Sequence, residues 1–366
     1  MALTTRARFV TILTATTALV LSGCAATPEP TAPPVPEPTS TTERAVPLPV
    51  GEPVAIVTGL TTPWSLVFLG ETALVSSRDT GDIFELVGDT MRLVGTVPGV
   101  VHQGESGLLG LAIDDSERLY TYSTSSSDNR IQRFTITGEP GSLGLGAGEV
   151  ILDGIPFAGF HDGGRIAFGP DGMLYATTGD AGVRPASQDM NSLGGKILRM
   201  TADGGIPDDN PFPGSHVYTL GHRNPQGIAW DAEGRLFASE FGQDTWDELN
   251  IITAGSNYGW PEVEGIAGNP TFVDPVQQWN PDTASPSGIT IVDGTVFIAN
   301  LKGQRVRTVP VANPSTETTF FEGSFGRIRD VAYAPDGSLW FLTSNTDTYG
   351  TPRAGDDRIM RVELGS

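Results

Sequence analysis

The sequence predicts an all-β protein, a six-bladed β-propeller whose blades are four-stranded antiparallel sheets. Three observations carry this prediction. Glycine (46 residues) and proline (28) are abundant in the 366-residue chain, which is typical of a protein rich in turns. A short hairpin pattern occurs six times. Beyond the N-terminal apolar run, no stretch has sustained helical periodicity, which argues against a helical solenoid.

The repeated pattern is an acidic turn, usually with glycine, followed by a short apolar run and a small or β-branched residue. Clear copies cover 170–177, 232–239 and 335–342, and weaker copies cover 69–76, 115–122 and 292–299. Asp-Gly between two apolar runs is a strong β-hairpin signal. The copies are roughly 43 to 62 residues apart, close to what one propeller blade and its loops need. A pair of β-sandwiches, the alternative fold, does not require the same hairpin six times.

The N-terminus has the features of a bacterial lipoprotein leader. Arg6 and Arg8 precede an apolar run that ends in Leu-Ser-Gly-Cys at Cys24, which is the only cysteine. A basic start, a short apolar run and small residues before a cleavage point indicate a secretory signal over residues 1–23. We expect acylation of Cys24, and therefore an extracytoplasmic protein held at the cell membrane by its lipid alone. The alternative is a plain secreted protein with an incidental cysteine.

Composition and net charge limit the domain organisation and the possible binding partners. Residues 24–49 are proline-rich and are predicted to form an extended tether, so the folded domain is expected to span 50–366. The formal net charge of −21 argues against nucleic acid or an anionic membrane surface as a partner.

The segment Leu220–Gly227 is a candidate binding site. It places Arg223 and Asn224 between two glycines, directly before a strand-like run. Arginine offers a fixed fork of donors and asparagine adds an amide, so the pair could bind anionic or carbonyl oxygens. Pro225 biases Asn224 toward an extended conformation. A structural turn that satisfies buried carbonyl groups is an equal alternative.

A histidine and an aspartate are predicted to meet at one end of a hairpin. His161 comes shortly before a predicted strand, and Asp180 follows the partner of that strand. This placement suits a carboxylate that orients an imidazole, which then acts as a general base. The simpler interpretation is a turn histidine and a capping aspartate.

Two groups of charged residues are further candidate binding sites. Lys302 follows a predicted strand, and Arg327 and Arg329 have the spacing that puts both on one strand face. In so acidic a protein these cations could form an anion site, or they could be solvated surface groups. An acidic group near a glycine-containing loop could bind a hard cation such as Ca²⁺, although it is no EF-hand. This group consists of Glu240, Asp244, Asp247 and Glu248.

Together these motifs resemble the glucose/sorbosone dehydrogenase family, the soluble quinoprotein aldose dehydrogenases. The matching segments run in order over essentially all of residues 50–363, namely 104–110, 161–180, 193–199, 218–231, 247–261, 285–288, 301–303 and 327–330. The resemblance implies a six-bladed β-propeller that binds pyrroloquinoline quinone (PQQ) with Ca²⁺. It also implies oxidation of an aldose at C1 to the lactone, with an external electron acceptor.

The resemblance assigns roles to particular residues. His161 would be the base for the C1 hydroxyl proton, Asp180 would orient it, and Arg223 would polarise the quinone with Ca²⁺. The positions that match groups holding PQQ are Asn224, Lys302, Arg327 and Arg329. The backbone carbonyls that ligate the cofactor's Ca²⁺ match Gly242 and Gln243, and a separate Ca²⁺ site matches Asp247, Glu248 and Tyr258. His222 matches no functional position and is expected to be structural.

The chain departs from the family pattern in three places. Glu105 stands where glucose-oxidising members carry Gln, so a second carboxylate is expected to face the cofactor. Gln243 replaces a common Pro, which should be tolerated because the ligand is a backbone oxygen. The long insertions that build the dimer and the glucose pocket are missing, so a monomer with a broader sugar range is expected.

Two other functions stay open on the sequence. A non-catalytic cell-surface propeller could bind sugar or protein and use the cations to recognise an anion. A hydrolase of the lactonase type would need a buried metal ringed by Glu, Asn and Asp, and the group of Lys and Arg argues against it.

Overall fold

A computed structural model of the protein describes residues 46–365. The predicted leader, Cys24 and the tether as far as residue 45 lie outside these residues. The described chain forms six antiparallel sheets of four strands each, which confirms the predicted β-propeller. We number the sheets as blades 1 to 6 in chain order.

The strands follow one another around the ring in chain order, except that the N-terminal strand belongs to the last blade. Blades 1 and 2 contain β2 (Pro63–Leu69), β3 (Thr72–Ser77), β4 (Asp82–Val87), β5 (Thr90–Thr96), β6 (Leu108–Ile113), β7 (Arg118–Thr124), β8 (Asn129–Thr137) and β9 (Gly144–Ile155). Blades 3 and 4 contain β10 (Ile166–Phe168), β11 (Leu174–Thr178), β12 (Lys196–Met200), β13 (Val217–Leu220), β14 (Pro225–Trp230), β15 (Leu236–Glu240), β16 (Asp247–Ile252) and β17 (Gln277–Trp279). Blades 5 and 6 contain β18 (Pro286–Val292), β19 (Thr295–Asn300), β20 (Arg305–Pro310), β21 (Thr318–Phe320), β22 (Ile328–Tyr333), β23 (Leu339–Thr343), β24 (Arg358–Gly365) and β1 (Leu48–Thr58). Short 3₁₀ helices cover Arg184–Gln188 and Pro281–Thr283.

Each of the six predicted hairpins joins the first two strands of a blade. In blade 3 the Gly169 N–H donates to Met173 O and the Gly172 N–H donates to Gly169 O, both at 2.9 Å. Gly172 has a φ of +74°, a left-handed conformation that glycine adopts without steric cost. The acidic–glycine signal therefore marks the turn that separates the inner strand of a blade from its neighbour.

The ring is closed by the N-terminal strand. β1 pairs with β24, from Leu48 opposite Gly365 to Thr58 opposite Arg358, so blade 6 takes its outermost strand from the start of the domain. This strand begins two residues before the predicted domain start at 50. It includes Pro49, which is tolerated because an edge strand bonds a neighbour on one side only.

Apolar side chains fill the spaces between blades. Six buried clusters in residues 46–365 join adjacent blades, for example Tyr120 with Leu174 between blades 2 and 3, and Phe297 with Phe341 between blades 5 and 6. The inner strand of each blade lies against the inner strand of the next around the full ring. The inner strands thus surround a central channel. In this part of the chain no helix is long and apolar enough to cross a membrane.

Candidate active site

One mouth of the central channel collects loops from all six blades. Each inner strand begins at this end, and its antiparallel partner returns to it, so the loops before the first strands and after the second strands converge there. They enclose a pocket whose walls are Trp64, Arg78, Glu105, Leu109, Asp162, Gly163, Gln226, Phe241, Leu301, Arg327, Arg329 and Tyr349.

His161 and Asp180 meet at this end of blade 3. The Nδ1 atom of His161 lies 2.7 Å from Asp180 Oδ1, and Asp180 Oδ2 accepts a hydrogen bond from Trp260 Nε1 at 2.9 Å. The Asp180 side chain is fully buried, whereas 14% of the His161 side chain is exposed. Among residues 46–365, His161 Nε2 has no hydrogen-bond partner. One nitrogen is therefore fixed and the other is free.

The protonation of this pair follows from the contacts of Asp180. Burial alone would raise the pKa of Asp180, but hydrogen bonds from His161 and from the Gly182 N–H hold that pKa below its ordinary value. An ionised Asp180 is an acceptor only, so the proton of a neutral His161 ring sits on Nδ1. The lone pair of Nε2 is then available as a base.

The backbone around His161 depends on glycine. His161 has a φ of +60°, and its carbonyl oxygen lies so close to Gly179 that a Cβ there would be 1.8 Å away. A side chain at position 179 would therefore push the two loops apart. The glycine lets the loop of His161 and the loop of Asp180 approach each other, which is what brings the imidazole to the carboxylate.

Arg223 lies beside this pair. Its carbonyl accepts the Asp180 N–H at 2.8 Å, which ties the loops of blades 3 and 4 together. Its guanidinium donates to Gln243 Oε1 at 2.9 and 3.1 Å and to Phe241 O at 3.1 Å, and it lies over the Trp260 ring at 5.6 Å. Burial lowers the pKa of Arg223, against the raising effect of nearby carboxylates.

Asn224 is buried next to it, with 1% of its surface exposed. Its Oδ1 accepts the Gly163 N–H at 3.0 Å, while its Nδ2 is buried and has no partner. The structural alternative for this segment, in which the asparagine satisfies a backbone group, explains the side-chain oxygen but not the side-chain nitrogen. That nitrogen is a donor without an acceptor.

Two of the three predicted cations converge on the mouth. The Nη2 atoms of Arg327 and Arg329 lie 3.1 and 3.5 Å from the same oxygen of Asp347, so the two side chains do share a side as their spacing predicts. Arg329 also donates to Gln226 Oε1 at 2.8 Å, and its Nε is buried without a partner. Burial lowers the pKa of Arg329 to about 9.

Lys302 does not line this pocket, so its part in the predicted group of three cations stays a prediction. Its side chain is 57% exposed and pairs with Asp282. Asp282 belongs to the 3₁₀ helix Pro281–Thr283, which precedes blade 5 and reaches the loop that carries Lys302. Lys302 instead lines a neighbouring pocket, in which Arg327 also takes part.

Glu105 faces the mouth, as expected from its departure from the family pattern. Its Oε2 accepts the backbone N–H of His161 at 3.1 Å. The carboxylate therefore holds the loop that carries the imidazole and also adds negative charge to the pocket.

Several residues at the mouth were missed by sequence reasoning: Trp64, Arg78, Asp162 and Tyr349. Asp162 is the most unusual of them. Its Oδ1 accepts hydrogen bonds from Asn129 Nδ2 and the Ala158 N–H, but its Oδ2 is buried without a partner. Burial raises the pKa of Asp162 to about 7. Arg78 had a usable signal, because it directly follows the second strand of a blade, much as Asp180 does.

The predicted backbone ligands for Ca²⁺ lie in the loop after β15. In the described part of the chain, the carbonyl oxygens of Gly242 and Gln243 accept no hydrogen bond. Gly242 is required here, since a Cβ would lie 1.8 Å from Trp246 O. Asp247 braces the loop, with Oδ1 accepting the Gly242 N–H at 2.8 Å and Oδ2 the Ser285 N–H at 2.6 Å. The loop that carries the two carbonyl groups is thus fixed, and the carbonyl oxygens are available as ligands.

The side chains of the separate predicted Ca²⁺ site are engaged elsewhere. Both oxygens of Asp247 accept backbone N–H groups, those of Glu248 accept from the Gly265 N–H and Asn250, and the Tyr258 hydroxyl donates to Ile251 O. Burial raises the pKa of Asp247 to about 6 and, with help from the charge of Glu240, raises that of Glu248. No group of three or more His, Cys, Asp or Glu in residues 46–365 forms a metal cluster. A metal at this second place stays a prediction.

A known protein family matches this chain over most of its length. The model of the glucose/sorbosone dehydrogenase family matches residues 60–350. The chain belongs to this family. It is 30% identical over 354 residues to an uncharacterized Synechocystis protein, slr1608, covering 80% of this chain and 84% of that one.

Relatives with named activities match over shorter stretches. Quinoprotein glucose dehydrogenase B of Acinetobacter calcoaceticus is 35% identical over 249 residues, which is 57% of this chain and 52% of the relative. Aldose sugar dehydrogenase YliI of Escherichia coli is 34% identical over 220 residues, 51% of this chain and 58% of the relative. In these alignments the chain spans little more than half the length of either enzyme.

Solved structures match over the whole domain. The PQQ-bound form of an aldose sugar dehydrogenase from Streptomyces coelicolor has 50% sequence identity and a TM-score of 0.82, covering 87% of this chain and all of that one. The apo form of the E. coli soluble aldose sugar dehydrogenase has 27% identity and a TM-score of 0.74, covering 85% and 99%. The propeller of this chain is therefore the propeller of the family.

Proposed function

We propose that this protein oxidises an aldose at C1 to the lactone, with PQQ as the oxidant and Ca²⁺ as its metal. The observation that carries the proposal is His161, whose Nδ1 is fixed by the buried Asp180 and whose Nε2 is free at the channel mouth. Buried guanidinium groups line the same mouth. The relative from S. coelicolor that is 50% identical is described as PQQ-bound.

The donors at the mouth fit a planar tricarboxylate. Asn224 Nδ2 and Arg329 Nε are both buried and without a partner. A buried donor without an acceptor costs about 1–3 kcal/mol, and native structures rarely keep such groups without a reason. Carboxylate and carbonyl oxygens of PQQ would supply the missing acceptors. Arg327 and Arg329 would add positive charge that only Asp347 offsets by direct contact.

The loop after β15 fits the metal. Ca²⁺ takes oxygen ligands, including backbone carbonyls, and Gly242 and Gln243 offer two carbonyl oxygens that accept no hydrogen bond within residues 46–365. We expect the bound cofactor and water to supply further ligands. Arg223 donates to the Gln243 side chain at 2.9 Å, so the guanidinium lies next to the proposed metal loop.

The roles of the side chains follow from these contacts. When bound, PQQ would supply the acceptor for the hydride that leaves C1. The C1 hydroxyl proton passes to His161 Nε2, and the carbonyl of the lactone remains on the sugar. Asp180 keeps the ring oriented and stabilises the imidazolium that forms. Arg223, fixed by Gln243 and Phe241, places a positive charge where negative charge develops during the transfer.

Three partner proposals go with this function. The sugar is the substrate, and an external carrier removes the two electrons after each turnover. Acylation of Cys24 would hold the protein at the outer side of the cell membrane. We also propose a monomer, because the insertions that build the family dimer are missing.

Reconstitution tests the proposal directly. The purified protein is incubated with PQQ and CaCl₂, quinone uptake is followed by absorbance, and dye reduction is measured with several aldoses. We expect one quinone per chain and dye reduction that depends on both sugar and Ca²⁺. Absence of quinone uptake would rule the function out. Uptake without dye reduction by any aldose would favour the non-catalytic binding propeller instead.

A further inference from the structure

Arg78 is a buried cation at the channel mouth to which neither the sequence nor the family resemblance gives a role. It follows β3 of blade 1, lines the same pocket as Arg327 and Arg329, and is 2% exposed. Its Nε donates to Asp79 Oδ1 at 2.7 Å. Its Nη2 is buried and has no hydrogen-bond partner. Half of the guanidinium fork is therefore engaged and half is not.

The backbone of Arg78 is held tightly between two blades. Its N–H donates to Thr62 O and its carbonyl accepts the Leu108 N–H, both at 2.9 Å. Gly107 packs directly against it, since a Cβ there would lie 2.2 Å from Arg78 O. These contacts fix the direction in which the side chain of Arg78 leaves the backbone, and the side chain itself is only 3% exposed.

The charges at the mouth leave Arg78 open to an anion. Arg327 and Arg329 share one carboxylate, Asp347, and Arg78 contacts only Asp79, whose side chain is 31% exposed and also lies 3.3 Å from His102. Three guanidinium groups thus line one pocket with two direct carboxylate partners, and Glu105, which lines the same pocket, pairs with none of the three. A carboxylate from a ligand would satisfy the free Nη2 by a charge-assisted hydrogen bond, the strongest kind that an arginine makes.

We propose that Arg78 is a further anchor of the cofactor site and that its Nη2 donates to a carboxylate of the bound tricarboxylate. This inference rests on the proposed function, since it takes PQQ to be the occupant of the mouth. It adds blade 1 to the blades that hold the occupant. Arg78 acts in binding, and it has no part in the proton transfer at His161.

Equilibrium binding of PQQ with Ca²⁺ tests this without any turnover. In Arg78→Met, which keeps an unbranched apolar stem and removes the donors, we expect about 10- to 100-fold weaker quinone binding. Arg78→Lys keeps the charge but not the fork, so we expect an intermediate loss. The control is Arg235→Met, on the β14–β15 turn at the other end of the propeller, where Arg235 is 43% exposed and quinone affinity should not change.

A gain in affinity provides an independent test should Arg78→Met fail to fold. Asp79→Asn removes the one carboxylate that contacts Arg78 directly, at a position where the side chain is 31% exposed. We expect it to tighten quinone binding by about 2- to 5-fold at low salt, with less gain at high salt.

The outcomes separate the two proposals. Quinone uptake by the wild type, with weaker binding by Arg78→Met or Arg78→Lys and tighter binding by Asp79→Asn, supports the inference. If the wild type binds quinone and the folded Arg78 variants bind it with equal affinity, the inference is overturned and the proposed function stands. The same holds if Arg78→Met does not fold and Asp79→Asn shows no gain in affinity. No uptake by the wild type overturns both.

Discussion

Two histidine–carboxylate pairs stand side by side in this propeller, and only one of them has the geometry of a base. His161 Nδ1 lies 2.7 Å from Asp180 in blade 3, and His222 Nδ1 lies 2.8 Å from Glu240 in blade 4. Both pairs come from the same places in their blades, the loop before the inner strand and the end of its partner.

The two pairs differ at the second ring nitrogen. His222 is fully buried, its Nε2 is 2.9 Å from Thr219 Oγ1, and its ring stacks on Tyr258 with centroids 4.7 Å apart. His161 keeps Nε2 free of partners in the described chain, and its ring is flanked edge-on by Phe160 at 4.7 Å. A carboxylate partner is thus common to both histidines, whereas an accessible nitrogen without a partner distinguishes His161, the histidine that we propose as the base.

Replacing each histidine in turn should produce the largest difference in turnover between two variants. We expect His161→Gln to lower turnover by about 10²- to 10⁴-fold, because the base is lost. Quinone uptake should be kept, because the cations at the channel mouth are unchanged. His222→Gln should leave the turnover of each folded, quinone-loaded molecule close to that of the wild type. Dye-reduction rates, normalised to bound quinone, measure both. Equal losses in the two variants would contradict the distinction.

Asp180→Asn should give the next largest effect. The amide cannot stabilise an imidazolium as a carboxylate does, so we expect turnover to fall by about 10²-fold or more with little change in sugar affinity. The matched control is Asp171→Asn at the other end of the same hairpin, where Asp171 pairs with Arg199. The comparison is made on kcat and KM separately. A loss confined to KM would argue against a role of Asp180 in the proton transfer.

For His222 the expected loss is in stability. His222→Leu removes both ring hydrogen bonds and leaves Glu240 Oε2 buried without its partner, so the free energy of unfolding should fall by about 2 to 4 kcal/mol. His216→Gln, in a partly buried position with one bond to Gly204 O, serves as the control and should change much less. Denaturant unfolding monitored by tryptophan fluorescence measures both. A stable His222→Leu protein with low turnover would reverse the roles assigned to the two histidines.

The unpartnered carboxyl of Asp162 predicts a pH dependence of stability in the protein without cofactor. Burial raises the pKa of Asp162 from 3.8 to about 7, and nearby Glu105 contributes in the same direction. The folded state therefore keeps a proton that the unfolded chain releases, so this part of the stability is present below pH 4 and is lost as the pH rises to 7.

Asp162→Asn removes that proton exchange, and its side-chain oxygen can still accept from Asn129 and the Ala158 N–H. We expect the stability of the variant relative to the wild type to rise between pH 4 and pH 7 by an amount on the order of 4 kcal/mol, and to level off above pH 7. Thermal unfolding at a series of pH values measures it. A difference that does not vary with pH would contradict the buried neutral carboxyl.

Lys302 should show the smallest effect. Because its ammonium group pairs with Asp282 and is 57% exposed, we expect Lys302→Met to weaken quinone binding by less than about 5-fold. Arg329→Met, which removes a buried and partly unpartnered guanidinium, should weaken it more. Equilibrium binding of PQQ compares the two. A larger loss for Lys302→Met would return this lysine to the centre of the site.

The sequence was sufficient for the fold because the propeller repeats a local signal. Asp-Gly turns such as Asp171–Gly172 mark the hairpins, and their spacing sets the number of blades. The pairing of His161 with Asp180 was predictable for the same reason, since both residues flank one hairpin.

The rest of the site depends on contacts between distant parts of the chain. Arg78 and Asp162 carry no motif, and only ring closure brings them to the mouth with Arg329. The pairing of Lys302 with Asp282 could not be predicted, because nothing in the segment of Lys302 shows that Asp282 reaches it. The role of His222 came from the family resemblance alone, since its partners Glu240 and Thr219 are visible only in the structure.

Reduction of the bound quinone in a single turnover tests the central claim most directly. Protein loaded with PQQ and Ca²⁺ is mixed with an aldose without any electron acceptor, and the absorbance of the quinone is followed. We expect rapid reduction in the wild type and a rate lower by about 10²- to 10⁴-fold in equally loaded His161→Gln. Equal rates in the two proteins, or no reduction in the wild type by any aldose, would contradict the claim that the free nitrogen of His161 is the base of a sugar dehydrogenase.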